Sequence, residues 1–230
     1  MLLSNTAEGG GNGATVSLDN SGGNSGNAWD GVVIPANTTL AYSIVQAMHG
    51  TMSYHFTSSA AASNFLRWDS QITGSPLTLY TRVYCYFTGT VPTTSRFMQF
   101  NDSSATLICG VGINGSDQFV IRDTSTTIVG TSSTVAPANQ WFRIELMVFS
   151  NATTGQATLN IYTTPDSTIP AETLTVTSQN LLGNPIAQAV FGNPTAVSGY
   201  DLYMDDIAVQ DSGFVGPAIT STPISWTGNP

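Results

Sequence analysis

The feature that most constrains the fold is a succession of short runs in which apolar and polar side chains alternate. About fifteen such runs, rich in Val, Ile, Thr and aromatic residues, follow one another with turn residues between them. Alternation places successive side chains on opposite faces of a strand, whereas no stretch keeps the apolar period of a helix for three turns. The sequence therefore predicts an all-β protein.

Gly, Asn, Ser and Pro separate the predicted strands and favour turns. The Asn114-Gly115 pair is the sharpest hairpin signal, because both residues tolerate positive φ. The predicted strands are 15–18, 28–34, 40–48, 51–57, 64–68, 77–88, 96–101, 105–113, 118–123, 126–129, 141–149, 157–163, 172–177, 187–192 and 200–210. So many short strands in 230 residues predict two stacked antiparallel sheets.

The strand predicted at 141–149 indicates how its sheet is placed. Its even-numbered residues, from Phe142 to Val148, are all apolar and must face the core. Arg143 and Glu145 share the other face with large apolar side chains, which is typical of a strand in mid-sheet. After residue 210 the alternation ends in Gly and Pro. We therefore expect one sandwich domain over residues 1–210 and a Pro/Gly-rich C-terminal arm over 211–230.

Composition excludes several classes of function. The chain has 14 acidic residues, five arginines and no lysine, for a net charge of −9. Without a basic patch it is not expected to bind nucleic acid. No apolar run reaches the roughly 18–20 residues that cross a bilayer, so membrane insertion is not expected either. The first residues carry no basic group and turn polar at once, so no signal peptide is recognised.

Five segments in a fixed order carry a family resemblance. They are NTAEGG at 5–10, GNAWD at 26–30, TRVYCYF at 81–87, WFRIEL at 141–146 and YMDDIAV at 203–209. Together they resemble the concanavalin A-like lectin/glucanase jelly roll, particularly the laminin G-like branch found in phage virion and tail proteins and in bacterial surface proteins. These segments are strand signatures, so they indicate a fold more than an activity.

The resemblance implies two curved sheets with a concave face that often holds glycans. It favours a non-catalytic virion or tail surface protein that binds a host glycan or cell-surface polysaccharide and works as an oligomer within an assembly. The alternative is a structural capsid or tail decoration protein that contacts other virion subunits through its arm, including Trp226. A polysaccharide lyase or hydrolase is the third candidate. The expected location is the virion surface or the extracellular space.

Two of the predicted strands supply candidate glycan-binding residues. Arg82 and Tyr84 lie on the face opposite Val83, and Arg143, Glu145 and Trp141 share the polar face of the later strand. Aromatic faces stack on sugar rings, and Arg or Glu binds hydroxyl groups. The alternative is a cross-strand ion pair that only covers the sheet.

The resemblance also implies a candidate metal site. Related carbohydrate-binding modules hold a structural Ca²⁺ where the first and last strands meet, and Glu8 with Asp205 or Asp206 would supply oxygen ligands there. Alternation places Asp205 on one face with Tyr203 and Ile207, so one of the two carboxylates is expected to point inward. The alternative is that Asp205 accepts backbone N–H groups or pairs with an arginine.

Catalytic motifs are incomplete. The Glu-x-Asp-x-x-Glu strand of glucanases on this fold is absent, and no Ser or Cys elbow accompanies His49 or His55. Arg-Ile-Glu-Leu at 143–146 is similar to a strand of alginate lyases, but Gln-Ala-Met-His at 46–49 has the wrong spacing for their Gln-x-His strand. We therefore expect no enzymatic activity.

The two cysteines lie in apolar runs. Cys85 and Cys109 each alternate in phase with apolar neighbours, so both are predicted to face the core. A disulfide between them would require adjacent strands, which alternation alone does not show.

Overall fold

The computed structural model describes residues 1–92 and 94–218, and its strands form a jelly-roll sandwich. Short β-branched and aromatic runs give fifteen strands in this part of the chain, and the only helical turn there is the 3-10 turn Gly23–Ser25. The strands are β1 Leu2–Asn5, β2 Gly31–Val33, β3 Thr38–Ser43, β4 Ser53–Ser58, β5 Asn64–Trp68, β6 Thr78–Phe87, β7 Arg96–Asn101, β8 Leu107–Ile113, β9 Gln118–Arg122, β10 Ile128–Val135, β11 Trp141–Phe149, β12 Gly155–Tyr162, β13 Glu172–Gln179, β14 Gln188–Asn193 and β15 Tyr200–Gln210. The predicted all-β fold is confirmed.

The strands divide between two antiparallel sheets. Sheet I has the order β13-β12-β11-β6-β15-β4-β3, and β1 also pairs with β15. Sheet II has the order β10-β9-β8-β7-β14-β5-β2. β6 and β11 lie in the middle of sheet I, as the apolar faces of 141–149 predicted.

The core lies between the inner faces of the sheets. Phe87 of sheet I meets Phe97 of sheet II with ring centroids 5.8 Å apart, and Phe142 of sheet I meets Phe119 of sheet II at 5.4 Å. All four rings are fully buried. Burying each of these rings contributes about 1.5–3 kcal/mol, so this aromatic layer is a main force holding the sheets together.

Three differences between the predicted and the observed strands are informative. Residues 15–18 form a loop, apart from one bridge between Thr15 and Ala41. β1 was not predicted, because its partner β15 lies at the other end of the chain. The strand predicted at 40–48 ends at Ser43, and the next two apolar residues, Ile44 and Val45, are exposed. The remaining residues form a loop that carries His49 back to sheet I.

The described part of the C-terminal arm, residues 211–218, continues from β15. The Met1 amine donates to the Asp211 carboxylate at 2.9 Å, and the Phe214 ring lies 5.3 Å from the Tyr80 ring. Trp226 lies outside the described residues. The division into a domain and an arm stays a prediction. No helix in residues 1–92 or 94–218 is long and apolar enough to span a membrane.

The cysteines are buried on different sheets. Cys85 is in β6 of sheet I and Cys109 is in β8 of sheet II, and both are free. Burial raises the pKa of the Cys109 thiol to about 12 and that of Cys85 well above its ordinary value. Their predicted orientation toward the core is confirmed.

Candidate functional site

Three neighbouring strands bring polar side chains together on the outer face of sheet I. Arg143 of β11 lies opposite Tyr84 of β6, which lies opposite Asp205 of β15. One step along the sheet, Glu145 lies opposite Arg82. Because residues opposite one another share a face, the fold brings four of the five predicted glycan-binding residues into one cluster beside Asp205.

Arg143 fixes a loop onto this cluster. Its Nη1 and Nη2 donate to the carbonyls of Pro165 and Ser167 at 2.7 and 2.8 Å, and its guanidinium lies 3.7 Å from the centre of the Tyr162 ring. Its Nε is 3.6 Å from Glu145 Oε1, and both side chains are buried. This ion pair joins residues of one strand, not of two as the alternative predicted. Arg143 therefore anchors the loop over residues 163–171.

His49 and Tyr84 bring two groups that can transfer protons into contact. The imidazole lies edge-on to the phenol ring, with 5.0 Å between their centroids. Asp206 contacts His49 Nδ1, and Asp166 Oδ2 lies 3.2 Å from Nε2. The other oxygen of Asp166 accepts the Tyr84 hydroxyl at 2.8 Å. One half-exposed carboxylate on the anchored loop thus joins an imidazole and a phenol.

A β-bulge explains how two successive aspartates serve this pair. The register of β15 shifts between Asp205 and Ala208, and Asp206 has a φ of +45°. Asp205 accepts the backbone N–H groups of Met48 and His49 at 3.0 and 3.1 Å, which fixes the loop that carries the imidazole. Burial, with the Asp206 carboxylate beside it, raises the pKa of Asp205 well above its ordinary value. The prediction that uninterrupted alternation relates Asp205 to Ile207 is wrong because of this bulge.

Tyr84 is held as a proton donor. Burial raises the pKa of its phenol to about 12, although Arg143 and the Ala218 N–H group oppose the rise. Arg143 Nη1 lies 3.5 Å from the phenol oxygen, and the Ala218 N–H group donates to it at 2.8 Å. At neutral pH the phenol is therefore protonated.

The arm crosses the cluster. Arg82 Nη1 donates to the Gly216 carbonyl at 3.1 Å, while its Nε donates to the Asp206 carbonyl at 3.0 Å. With the contact of Ala218 on Tyr84, backbone groups of the chain itself occupy the polar atoms that a ligand would use.

A row of aromatic side chains runs beside the cluster. Trp141 and Tyr86 lie 5.6 Å apart, Tyr86 and Tyr203 lie 6.0 Å apart, and Tyr203 stacks on His55 at 4.0 Å. His55 Nε2 is 2.8 Å from Asp201. Trp141 was predicted to bind glycan; the other three rings were missed, although Tyr86 continues the alternation of Arg82 and Tyr84. Tyr203 is buried, whereas Trp141 and Tyr86 are partly exposed and are suited to stacking against sugar rings.

The predicted calcium ligands do not converge. The Glu8 carboxylate accepts the N–H groups of Thr51 and Met52 at 2.8 and 2.9 Å, while Asp205 and Asp206 bind the His49 loop. Asp205 accepts backbone N–H groups, as the alternative predicted. No group of three His, Cys, Asp or Glu residues suited to a metal occurs in residues 1–92 and 94–218. Calcium binding stays a prediction without a converged ligand set.

Solved structures share this fold. Endo-β-1,4-glucuronan lyase from the fungus Trichoderma reesei superposes with a TM-score of 0.63 at 11% identity, over 81% of this chain and 92% of that one. The cellulose-induced protein Cip1 gives 0.61 at 16% identity, over 94% and 100%. The PL-14 alginate lyase from Aplysia kurodai gives 0.51 at 9% identity, over 74% and 86%. No protein-family model and no curated protein sequence matches. At these identities the similarity establishes the jelly-roll fold alone.

The prediction that the chain is not an enzyme is contradicted. Two of its structural neighbours are polysaccharide lyases. The sequence does not predict a catalytic His49, because residues 46–49 lack the Gln-x-His spacing of the strand motif. In the structure His49 reaches Tyr84 from a loop, so spacing along a strand was the wrong criterion.

Proposed function

We propose that this chain is a polysaccharide lyase that cleaves a 1,4-linked uronate polymer by β-elimination. The observation that carries the proposal is the His49 imidazole beside the Tyr84 phenol, both joined to Asp166 on the outer face of sheet I. β-Elimination needs one group to remove the C5 proton of a uronate and another to protonate the departing O4. His and Tyr both transfer protons in enzymes. The glucuronan and alginate lyases among the structural neighbours support this substrate class.

His49 is the base in this proposal. Asp206 contacts Nδ1 and so favours the tautomer that carries its proton there, which leaves Nε2 as the acceptor. Nε2 meets Asp166, whose side chain is 49% exposed and can be displaced by a substrate. The C5 proton then passes to Nε2, and the electron pair of the C5–H bond forms the C4=C5 double bond.

Tyr84 is the acid. Its raised pKa keeps the phenol protonated at neutral pH, and its O–H group already donates toward Asp166. As the C4–O4 bond breaks, O4 takes the phenol proton and becomes the hydroxyl group of the leaving sugar. The phenolate that forms beside Arg143 is stabilised by the guanidinium 3.5 Å away. Proton exchange with water returns both residues to their starting forms.

Arg82 is the cation that would bind the uronate carboxylate. Loss of the C5 proton places negative charge on this carboxylate, and an arginine fork stabilises it. Arg143 donates to the carbonyls of Pro165 and Ser167, whereas the one hydrogen-bond partner of Arg82 Nη1 among the described residues is the Gly216 carbonyl of the arm. A carboxylate oxygen that replaces this carbonyl would make the same hydrogen bond with a full charge. Substrate binding therefore displaces the arm.

The aromatic row would supply neighbouring sugar subsites. Trp141 and Tyr86 are partly exposed and lie on the same face as Tyr84. Glycan binding, the broader part of the sequence-based prediction, is thus retained within the lyase proposal. The virion setting, host attachment and contact with virion subunits stay predictions from the sequence.

Release of an unsaturated uronate tests the proposal, because its conjugated double bond absorbs in the ultraviolet. The full chain and its Ala218→Pro variant, which lacks the N–H group on Tyr84, are assayed on glucuronan and alginate. Tyr84→Phe and His49→Gln are expected to lower kcat by about 10²–10⁴-fold.

The control is Tyr42→Phe, which removes a phenol hydroxyl that binds the Asn20 carbonyl outside the site. It should keep the activity. Absence of unsaturated product from both the full chain and Ala218→Pro would overturn the proposal, and so would Tyr84→Phe acting at the wild-type rate.

A further inference from the structure

A second arrangement of charged residues lies on sheet II. Arg96 of β7 and Arg122 of β9 stand on either side of β8. They line a cavity of about 330 Å³ together with three threonines, Thr94, Thr126 and Thr195. Neither arginine belongs to the His49 and Tyr84 cluster, which is on the other sheet.

Glycines in the intervening strand make room for this cavity. Arg96 pairs with Gly112 and Arg122 pairs with Gly110, so both glycines face outward between the arginines. A Cβ atom on Gly110 would lie 2.9 Å from Arg96 Cδ. The Arg96 side chain therefore lies across β8, in the space that the side chain of any residue larger than glycine at position 110 would occupy.

The two guanidinium groups lack counter-charges within the described residues. Arg96 Nε and Nη1 are buried there without a hydrogen-bond partner. Arg122 donates to the Thr126 carbonyl at 2.9 Å, and no described carboxylate lies within ion-pair distance of either arginine. Arg67 on the same sheet, by contrast, pairs with Asp69 at 2.8 Å.

This lack of counter-charges is costly. Burial lowers the pKa of Arg96, and the positive charge of Arg122 lowers it further. The chain has 14 acidic residues for five basic ones, so carboxylates to pair these two arginines are plentiful in the sequence. A ligand that brings negative charge would remove both the repulsion and the missing hydrogen bonds.

We propose that this cavity binds an oxyanion, in particular a sulfate or carboxylate group carried by a sugar. Guanidinium groups match the oxygens of such anions with parallel N–H donors. The threonine hydroxyls beside them suit the hydroxyl groups of an attached sugar, and the volume lies at the lower end of small-molecule sites. The proposal stands on sheet II alone and does not require lyase activity.

Isothermal titration calorimetry of the full chain tests it, with sodium sulfate, sodium glucuronate and a sulfated monosaccharide at constant ionic strength. We expect saturable binding at a single site, weakened about tenfold or more in Arg122→Gln and in Gly110→Ala, whose methyl group fills the cavity. Arg67→Gln is the matched control, since that arginine already has a carboxylate partner. Circular dichroism and thermal melting check that each variant folds.

Comparing the three anions distinguishes a site for a sugar-borne anion from a site for an inorganic anion. Tighter binding of the sugar-borne anions than of inorganic sulfate would support contacts with the threonines, and equal binding would support a site for the anion alone. No saturable heat with any of the three would overturn the proposal. Equal binding by wild type and Arg122→Gln, or equal loss in Arg67→Gln, would do the same.

Discussion

The two sheets use paired arginines in opposite ways. On sheet I, Arg82 and Arg143 donate to four carbonyl groups of the chain, and Arg143 also faces the Glu145 carboxylate. On sheet II, Arg96 and Arg122 share a cavity without a carboxylate among the described residues. The comparison teaches that arginine donors bound to carbonyls of the chain, as in Arg143, hold a loop in place, whereas the two buried Arg96 donors that lack a partner among the described residues would be available to a ligand.

The largest expected effect is a difference in stability between a variant of Arg143 on sheet I and a variant of Arg122 on sheet II. Arg143→Ala would release the 163–171 loop and leave Glu145 buried without its cation, so we expect the free energy of unfolding to fall by about 3–5 kcal/mol. Among the described residues, Arg122→Ala removes one hydrogen bond, to the Thr126 carbonyl, and it relieves repulsion with Arg96, so the change in the free energy of unfolding should stay within about 0.5 kcal/mol. Urea denaturation measures both. Equal losses would break the comparison.

A middle-sized effect concerns the arm on sheet I. Ala218→Pro removes the N–H group that donates to the Tyr84 phenol, a hydrogen bond of about 1 kcal/mol, so we expect uronate oligosaccharides to bind about fivefold more tightly. Ala218→Ser keeps the N–H group and should bind as the wild type does. Fluorescence titration measures the affinity, and a weaker affinity in Ala218→Pro would contradict a competing arm.

The smallest effect is a pair of opposite pH slopes. Burial raises the pKa of Glu145, although Arg143 opposes the rise. The folded protein therefore holds this proton more tightly than the unfolded chain does, and the stability that results is lost as the pH increases through the raised pKa of the folded state. Hydrogen bonds from Ser133 and Thr134 outweigh burial and lower the pKa of Glu172, so its contribution is lost as pH falls through the lowered value.

Glu145→Gln should therefore remove a decline of stability toward neutral pH, and Glu172→Gln should remove a decline toward acid pH. Denaturation at a series of pH values from about 3 to about 7 measures both slopes. If both substitutions changed the wild-type slope in the same direction, burial of Glu145 would not govern its titration.

Local pattern was enough to predict most of the fold. Strands β5, β7, β11 and β15 begin and end where the sequence predicted, because turn-forming residues flank each of these runs. The pairing of β1 with β15 was out of reach, since it joins the two ends of the domain and no local signal records it. Alternation also failed at Asp206, where the bulge turns a second carboxylate toward His49.

The candidate sites were predictable only where residues share a strand or its neighbour. Arg82, Tyr84, Arg143 and Glu145 were grouped correctly because alternation fixes their face. His49 was not placed with them, because a loop brings it there, and Asp166 also comes from a loop. The pairing of Arg96 with Arg122 depends on the register of β7 and β9 against β8, which the sequence alone does not define.

The position of the two candidate sites on opposite faces of a two-layer sandwich has a consequence for a polymeric ligand. Stacked sheets are only about 10 Å apart. A molecule with a polymer chain bound at each face would therefore lie between two neighbouring polymer chains of one matrix. Each contact would raise the local concentration of polymer at the other face, and the protein would stay within the matrix through avidity even where either contact is weak.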